Sequence, residues 1–226
     1  LGIAGPKSRD LLQKIVRESV SNDSFKFRDS RKMFVAGVPA IVNRISFTGE
    51  LGYEIYVAPH FQLKLYEELT KAGKEFNIKP FGGRALMSMR LEKNWGAWTL
   101  DFRPDFTAAE SGLDFFINWS KDFLGKEAAL KEKQNGPKKK LVTMTIDTEN
   151  IDVTGDEAIL KDGKCIGYIT SGGYAHHVKK SMAMGYVPNS LATNGSELDI
   201  EINGNLYKSY VQSKPLYDPD GKKMRS

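Results

Sequence analysis

The spacing of apolar residues changes along the chain, and the change divides it. Residues 44–57, Arg-Ile-Ser-Phe-Thr-Gly-Glu-Leu-Gly-Tyr-Glu-Ile-Tyr-Val, read as strand, tight turn, strand. Ile45 and Phe47 alternate with polar neighbours before the turn, and Tyr53, Ile55 and Val57 alternate after it. Gly49 and Gly52 bracket the turn, where positive φ is cheap for glycine. Upstream, residues 1–4 form a short apolar strand. Gly5-Pro6 then opens a helix whose apolar face is Leu11, Leu12, Ile15 and Val16. Residues 33–35 and 39–42 predict two short strands leading into the hairpin. Phe61, Leu65, Leu69, Ala72 and Phe76 recur at helical spacing. A second helix is expected from Arg84 to Lys93, with Ala85, Leu86, Met89 and Leu91 as its candidate inward residues, then an aromatic strand over 114–119 and a short helix over 125–134.

Asn135-Gly136-Pro137, followed by three lysines, reads as a linker. Beyond it the pattern is all-β. Residues 141–146 alternate and 182–187 predict another strand. Asp162-Gly163 and Asn203-Gly204 each join two short apolar runs with type I′ hairpin chemistry. The expectation is therefore an α/β (α+β) domain with a mixed or antiparallel sheet over residues 1–135. A small antiparallel β-barrel follows over 136–226.

Composition narrows the function classes. The chain has 226 residues, 40% of them hydrophobic and 11% aromatic, which suits a buried core rather than disorder. No apolar run approaches the roughly 20 residues that span a bilayer, so no membrane partner is expected. The net charge of +5 comes largely from short basic runs, Lys138-Lys139-Lys140, Lys179-Lys180 and Lys222-Lys223. Such runs are solvated surface or steer anionic ligands. No nucleic-acid motif accompanies them, and no nucleic-acid partner is expected. Cys165 is the single cysteine, which leaves no internal disulfide and fits a reducing compartment. His176-His177 would point to opposite faces of a strand, with no carboxylate cluster nearby in sequence, so no metal site is expected. Leu1-Gly2-Ile3-Ala4-Gly5 opens as if within a strand, and the chain is expected to be a piece of a longer one.

Two charged residues stand out. By alternation Glu54 points opposite to Tyr53 and Ile55. It is either a carboxylate lining a cleft, which then needs hydrogen-bonding partners, or an ordinary solvated strand glutamate. Arg84 sits at the N-terminus of its expected helix, where a cation opposes the helix dipole. It is either solvated or held by another partner. There is no Walker-type glycine loop and no dinucleotide fingerprint.

The order of short motifs carries more. Leu1-Gly2-Ile3-Ala4-Gly5-Pro6, Phe47-Thr48-Gly49-Glu50-Leu51-Gly52-Tyr53-Glu54, Gly83-Arg84 to Arg90-Leu91-Glu92, Phe123-Leu124-Gly125-Lys126, Ile169-Thr170-Ser171-Gly172 and Met184-Gly185-Tyr186-Val187-Pro188 follow one another in this order. The series resembles the glycine-cleavage T-protein (aminomethyltransferase) superfamily over essentially the whole chain. Residues 45–52, Arg90-Leu91-Glu92-Lys93 and residues 110–117 resemble the C-terminal folate region of dimethylglycine and sarcosine dehydrogenases.

The resemblance implies a T-protein-like folate domain followed by its barrel. The function implied is one-carbon transfer to tetrahydrofolate, giving 5,10-methylenetetrahydrofolate, within a longer enzyme. It assigns the pterin-holding carboxylate to Glu54 and a second folate contact to Arg84. Phe47 falls where related dehydrogenases carry a tyrosine, so only stacking is retained there. Tyr217 lies near the family's C-terminal folate-site tyrosine, in a different local context. The family's catalytic aspartate belongs to a segment preceding the strand at residues 1–4, so no catalytic residue is assigned here. FAD is implied only for an upstream domain. The partners implied are folate, an amine-derived one-carbon donor and the missing N-terminal segment. The location implied is cytoplasmic, or the mitochondrial matrix in a eukaryote. Alternatives are a stand-alone aminomethyl- or methyltransferase and a non-catalytic folate-binding module. The module's Lys-Gly-Cys-Tyr type motif is not matched by Lys164-Cys165-Ile166-Gly167.

Overall fold

The computed structural model describes residues 1–226. It forms two compact units, Leu1–Met87 with Asp218–Ser226, and Ser88–Tyr217.

In the first unit the elements are β1 (Gly2–Ala4), α1 (Ser8–Ile15), β2 (Ser30–Val35), β3 (Val38–Asn43), β4 (Gly52–Tyr56) and α2 (Gln62–Gly73). The four strands form a sheet in the order β1-β4-β3-β2, every pair antiparallel. Period-two alternation sets its faces. Tyr53 and Ile55 point into a core with Ile3, Leu12, Val35, Val42 and Leu65. Burying each such aliphatic side chain stabilises the fold by about 1.5–3 kcal/mol. The opposite face carries Glu54, paired in register with Gly2 and Asn43, and Tyr56, paired with Ile41.

The hairpin expected over residues 44–57 does not form. Only its second half is a strand, and that strand pairs with β1 and β3. The cause lies in Arg44, whose side chain is fully buried. Its guanidinium donates to the carbonyls of Phe25 (2.5 Å), Arg225 (3.1 Å) and Ser226 (2.8 Å). Its backbone N–H is taken by the Asp29 carbonyl. Further on, the Ser46 and Thr48 hydroxyls accept the N–H groups of Gly49 and Glu50. Side chains that capture backbone groups locally compete with strand pairing, and here they win.

The second unit holds the barrel. α3 (Gly83–Glu92) begins in the first unit and ends in the second, and α4 (Lys126–Asn135) follows. Then come β5 (Lys139–Ile146), β6 (Ala158–Lys161), β7 (Lys164–Ala175), β8 (Lys180–Pro188), β9 (Glu197–Ile202) and β10 (Asn205–Gln212). They close in the order β10-β5-β8-β7-β6-β9, all antiparallel, around Met144, Ile159, Ile169, Val187 and Ile200. Both hairpins form as expected. Asp162 and Gly163 have φ of 51° and 73°, and Asn203 and Gly204 have 50° and 80°, the left-handed pairs of a type I′ turn. Gly167 and Gly185 are needed for close approach: a Cβ at the first would stand 2.0 Å from the Tyr186 carbonyl, and at the second 2.6 Å from that of Tyr168.

Two local expectations fail here. Residues 114–119 are not a strand: Asp114–Phe116 is a single 3-10 turn closed by Phe116 N–H to Leu113 O and Ile117 N–H to Asp114 O. No partner strand borders it, and Phe115 and Phe116 stay exposed. On α3, Leu91 is buried as expected and Leu86 and Met89 are half-buried, but Ala85 is exposed and the other buried residues are the charged Arg90 and Glu92. The chain closes with a single turn, α5 (Lys222–Arg225), in the first unit. No helix is long and apolar enough to cross a membrane.

Candidate functional site

Glu54 and Phe47 line one cavity of about 600 Å³ in the first unit. Its walls are β1, the outer face of β4, the exposed side of α2 at Tyr66 and Thr70, and the segment 78–81. Most of the lining is apolar, with Ile3, Ile55, Leu69, Ile78, Phe81 and Leu86 contributing. Glu54 is half-buried and is the only carboxylate in the wall. Its Oε2 accepts a hydrogen bond from the Tyr56 hydroxyl at 2.5 Å. That bond, helped by partial burial, pushes the Tyr56 phenol above its ordinary pKa, so it stays a donor through neutral and mildly alkaline pH. Of the two readings open for Glu54, the cleft is the one the structure shows.

Tyr56 was missed by the sequence reading, although a signal was present. Residues two apart on a strand share a face, so whatever places Glu54 in the cavity places Tyr56 beside it. An apolar cavity with one oriented carboxylate and an aromatic wall can hold a flat, N–H-bearing ring. The carboxylate accepts paired donors while Phe47 and the aliphatic walls cover the ring faces.

Arg84 is not part of that wall. It stands exposed in the first turn of α3, two residues before Leu86, which does line the cavity. Tyr217 belongs to the second unit, where it is buried with its ring edge-on to His177, centroids 4.5 Å apart. Its N–H donates to the Glu92 carbonyl at 3.2 Å. The Glu92 carboxylate in turn accepts the N–H groups of His177 (2.7 Å) and Val178 (3.2 Å), pinning the β7–β8 turn.

The second unit contains a buried polar centre that sequence reasoning did not find. Asp101 is fully buried and both its carboxylate oxygens are saturated. Oδ2 accepts from Arg90 Nη1 at 2.7 Å and from the Ala97 N–H at 2.8 Å. Oδ1 accepts from the Ser171 hydroxyl at 2.7 Å and from that of Thr170. The Asp101 carbonyl accepts from the Tyr186 hydroxyl at 2.9 Å, which also pairs with Ser111 at 2.8 Å. Burial pulls Arg90 below its ordinary pKa, and the charge and hydrogen bond of Asp101 pull it back. Burial pushes the Tyr186 phenol up to about 12. Arg90, Thr170, Ser171 and Tyr186 come from three of the short motifs noted in the sequence, and in space they meet at Asp101. Asp101 itself sits in the tryptophan-rich segment after α3, where no periodicity marked it.

Comparison with known proteins agrees with this layout. A model described as the GCVT N-terminal domain matches residues 1–121, and one described as the glycine cleavage T-protein C-terminal barrel domain matches residues 139–218. Human mitochondrial dimethylglycine dehydrogenase is 39% identical over 218 residues, 96% of this chain and 25% of that protein. The aminomethyltransferase of Caldanaerobacter subterraneus subsp. tengcongensis is 34% identical over 225 residues, 99% of this chain and 59% of that protein. The crystal structure of the glycine cleavage system aminomethyltransferase T from Bartonella henselae superposes with a TM-score of 0.84 at 25% identity, covering 96% of this chain and 59% of that one. The chain thus spans a quarter of the dehydrogenase and about three-fifths of the aminomethyltransferases. With both family models in order along a sheet unit and a closed six-stranded barrel, the chain belongs to the glycine-cleavage T-protein family.

Proposed function

We propose that this chain is the tetrahydrofolate-binding, one-carbon-transfer part of a dimethylglycine- or sarcosine-dehydrogenase-like enzyme. The observation that carries the reading is the shared cavity of Glu54 and Phe47, with the Glu54 carboxylate held by Tyr56. The residues present fit the cofactor: one carboxylate with free acceptor sites stands in a mostly apolar wall, as a pterin ring with adjacent N–H donors requires. Glu54 accepts those donors, Tyr56 fixes its rotamer, and Phe47 covers a ring face. Arg84 enters the same reading as a further folate contact; it forms no ion pair and shares α3 with the cavity-lining Leu86. Bound tetrahydrofolate supplies the nitrogen atoms that take up the one-carbon unit. The chain's part is to position that ring and exclude water, which would otherwise hydrolyse the unit to formaldehyde.

The groups that act on the amine-derived donor, including a catalytic acid, are proposed to lie outside these 226 residues, as is any flavin domain. The proposed functional division is a folate domain over 1–135 and a barrel domain over 136–226; the start of β5 at Lys139 supports it. A stand-alone aminomethyltransferase is the second reading, favoured by the match over 99% of this chain to such an enzyme. The proposed location is the cytoplasm, or the mitochondrial matrix in a eukaryote.

Isothermal titration of tetrahydrofolate tests the central claim. Glu54→Gln keeps the shape but turns one acceptor into a donor facing the ring's own donors. The expected loss is roughly 2–3 kcal/mol, about 30- to 150-fold in Kd. Equal affinities for the two proteins would remove Glu54 from the site.

A further inference from the structure

The Glu54 cavity does not end at Glu54. A second cavity, of about 360 Å³, adjoins it in the same unit, and the two share Gly2, Ile3, Ile78, Lys79 and Phe81 as walls. Together they make one groove along β1 and the segment 78–81. Its charges differ by position: Glu54 lines only the first cavity, Lys7 only the second, and Lys79 stands in the wall the two share. The first cavity holds the only carboxylate, Glu54, beside the Tyr56 hydroxyl. The second is lined by no carboxylate at all and by two lysines, Lys7 and Lys79. Both lysines are exposed and neither forms an ion pair, whereas Lys14 and Lys64 of the same unit are bound to Glu75 and Glu68. Lys7 moreover occupies the N-cap position of α1, where its side chain makes no capping hydrogen bond. A side-chain oxygen is the usual choice there, and a cation gains nothing from the helix dipole.

We infer that Lys7 and Lys79 form an anion-reading subsite that receives the carboxylate-bearing tail of the ligand whose head ring lies on Glu54. This rests on the folate reading above and adds the part of the ligand that the second cavity selects. A molecule with N–H donors at one end and carboxylates at the other matches the groove in sign at both ends. Reversing it would set carboxylates against Glu54 and donors against two ammonium groups. The lysines therefore act as specificity residues: they fix the direction in which the ligand lies and favour tailed over tail-less pterins. They touch no reacting atom.

The test compares two probes by titration calorimetry, tetrahydrofolate and 6-methyltetrahydropterin, which has the head ring without the tail. The proteins are the wild type, Lys7→Gln, Lys7→Gln/Lys79→Gln and Glu54→Gln. The wild type should bind tetrahydrofolate more tightly than the tail-less probe, with the advantage shrinking as salt rises. Two exposed ion pairs set its size at roughly three- to twenty-fold. The double lysine variant should lose that advantage, and Lys7→Gln alone, which alters only the second cavity, should lose part of it while binding the tail-less probe as the wild type does. Glu54→Gln should weaken both probes alike. If the lysine variant keeps the full preference, or the wild type shows none, the subsite is overturned while the head-ring reading stands. If neither probe binds the wild type, the folate reading falls and the subsite with it.

Discussion

Two carboxylates, Glu54 in the first unit and Asp101 in the second, are held in opposite ways. Asp101 is fully buried and receives four donors, two per oxygen, one of them a guanidinium. Glu54 is half-buried in a cavity wall and receives one hydrogen bond, from Tyr56. A carboxylate offers about four acceptor sites. Asp101 has spent them all on its own chain, so it has nothing left for a ligand. Glu54 keeps most of its sites and faces open space. Both regions contain residues from the motifs that resemble the T-protein family, so the motifs alone do not separate scaffold from site. The count of satisfied acceptors does.

The largest effect that would break this contrast is at the saturated centre. Asp101→Ala removes one partner of a buried ion pair, takes the acceptor from the Ala97 N–H and the Ser171 hydroxyl, and leaves the Arg90 guanidinium without its counter-charge. Breaking a buried pair from one side costs about 3–5 kcal/mol. Urea denaturation should show a loss of that size. Asp101→Asn, which keeps the shape, should lose less while remaining folded enough to measure. A change under 1 kcal/mol for both would mean that Asp101 is not the structural hub its bonding suggests.

Tyr186 gives the next effect, and it depends on pH. Its phenol is raised to about 12 in the folded chain, chiefly by burial, against about 10 when unfolded. The neutral phenol is thus favoured by folding, and its contribution is complete below pH 10. As pH climbs from 10 to 12 the unfolded chain ionises first and the contribution is lost, about 2–3 kcal/mol in all. Tyr186→Phe should abolish that part of the alkaline slope while lowering stability at neutral pH through the lost bonds to Asp101 and Ser111. An unchanged slope in the variant would assign the alkaline loss to other groups. At the other carboxylate, Glu54→Gln should leave stability at neutral pH within about 0.5 kcal/mol, because it breaks no buried network.

The same contrast explains what could be read from the sequence. Strands of the barrel were legible because Asp162-Gly163 and Asn203-Gly204 impose their turn type locally, whatever lies around them. The clearest helix was legible because Leu65 and Leu69 follow one period onto one core. The strand expected at residues 44–47 was not one, because a guanidinium buried against carbonyls 19 and 181–182 residues away decides that segment. No window of local sequence contains that information. Asp101 was hidden for the same reason: its donors come from residues 90, 97, 170 and 171. Glu54 and Phe47 were legible by resemblance, and Tyr56 by alternation that went unused. Arg84 and Tyr217 carried the same kind of transfer, and the structure places neither in the wall that Glu54 lines.

Tyr56 supplies the smallest effect and the sharpest one. Its hydroxyl is Glu54's single partner within the chain, so it either prepares the carboxylate or competes with the ligand for it. If it prepares, Tyr56→Phe frees the Glu54 rotamer and weakens tetrahydrofolate binding by about 0.5–1.5 kcal/mol, the net worth of one hydrogen bond. The wild-type phenol is shifted above its ordinary pKa by that bond to Glu54. It therefore keeps donating past pH 10, and ionisation above that range would set a phenolate against the carboxylate and loosen the site. Affinity measured against pH should then stay level through pH 10 and fall above it in the wild type, with no such fall attributable to position 56 in Tyr56→Phe. Tighter binding by the variant at neutral pH would reverse the assignment: the hydroxyl would be a competitor, and Glu54 would meet its ligand only after giving Tyr56 up.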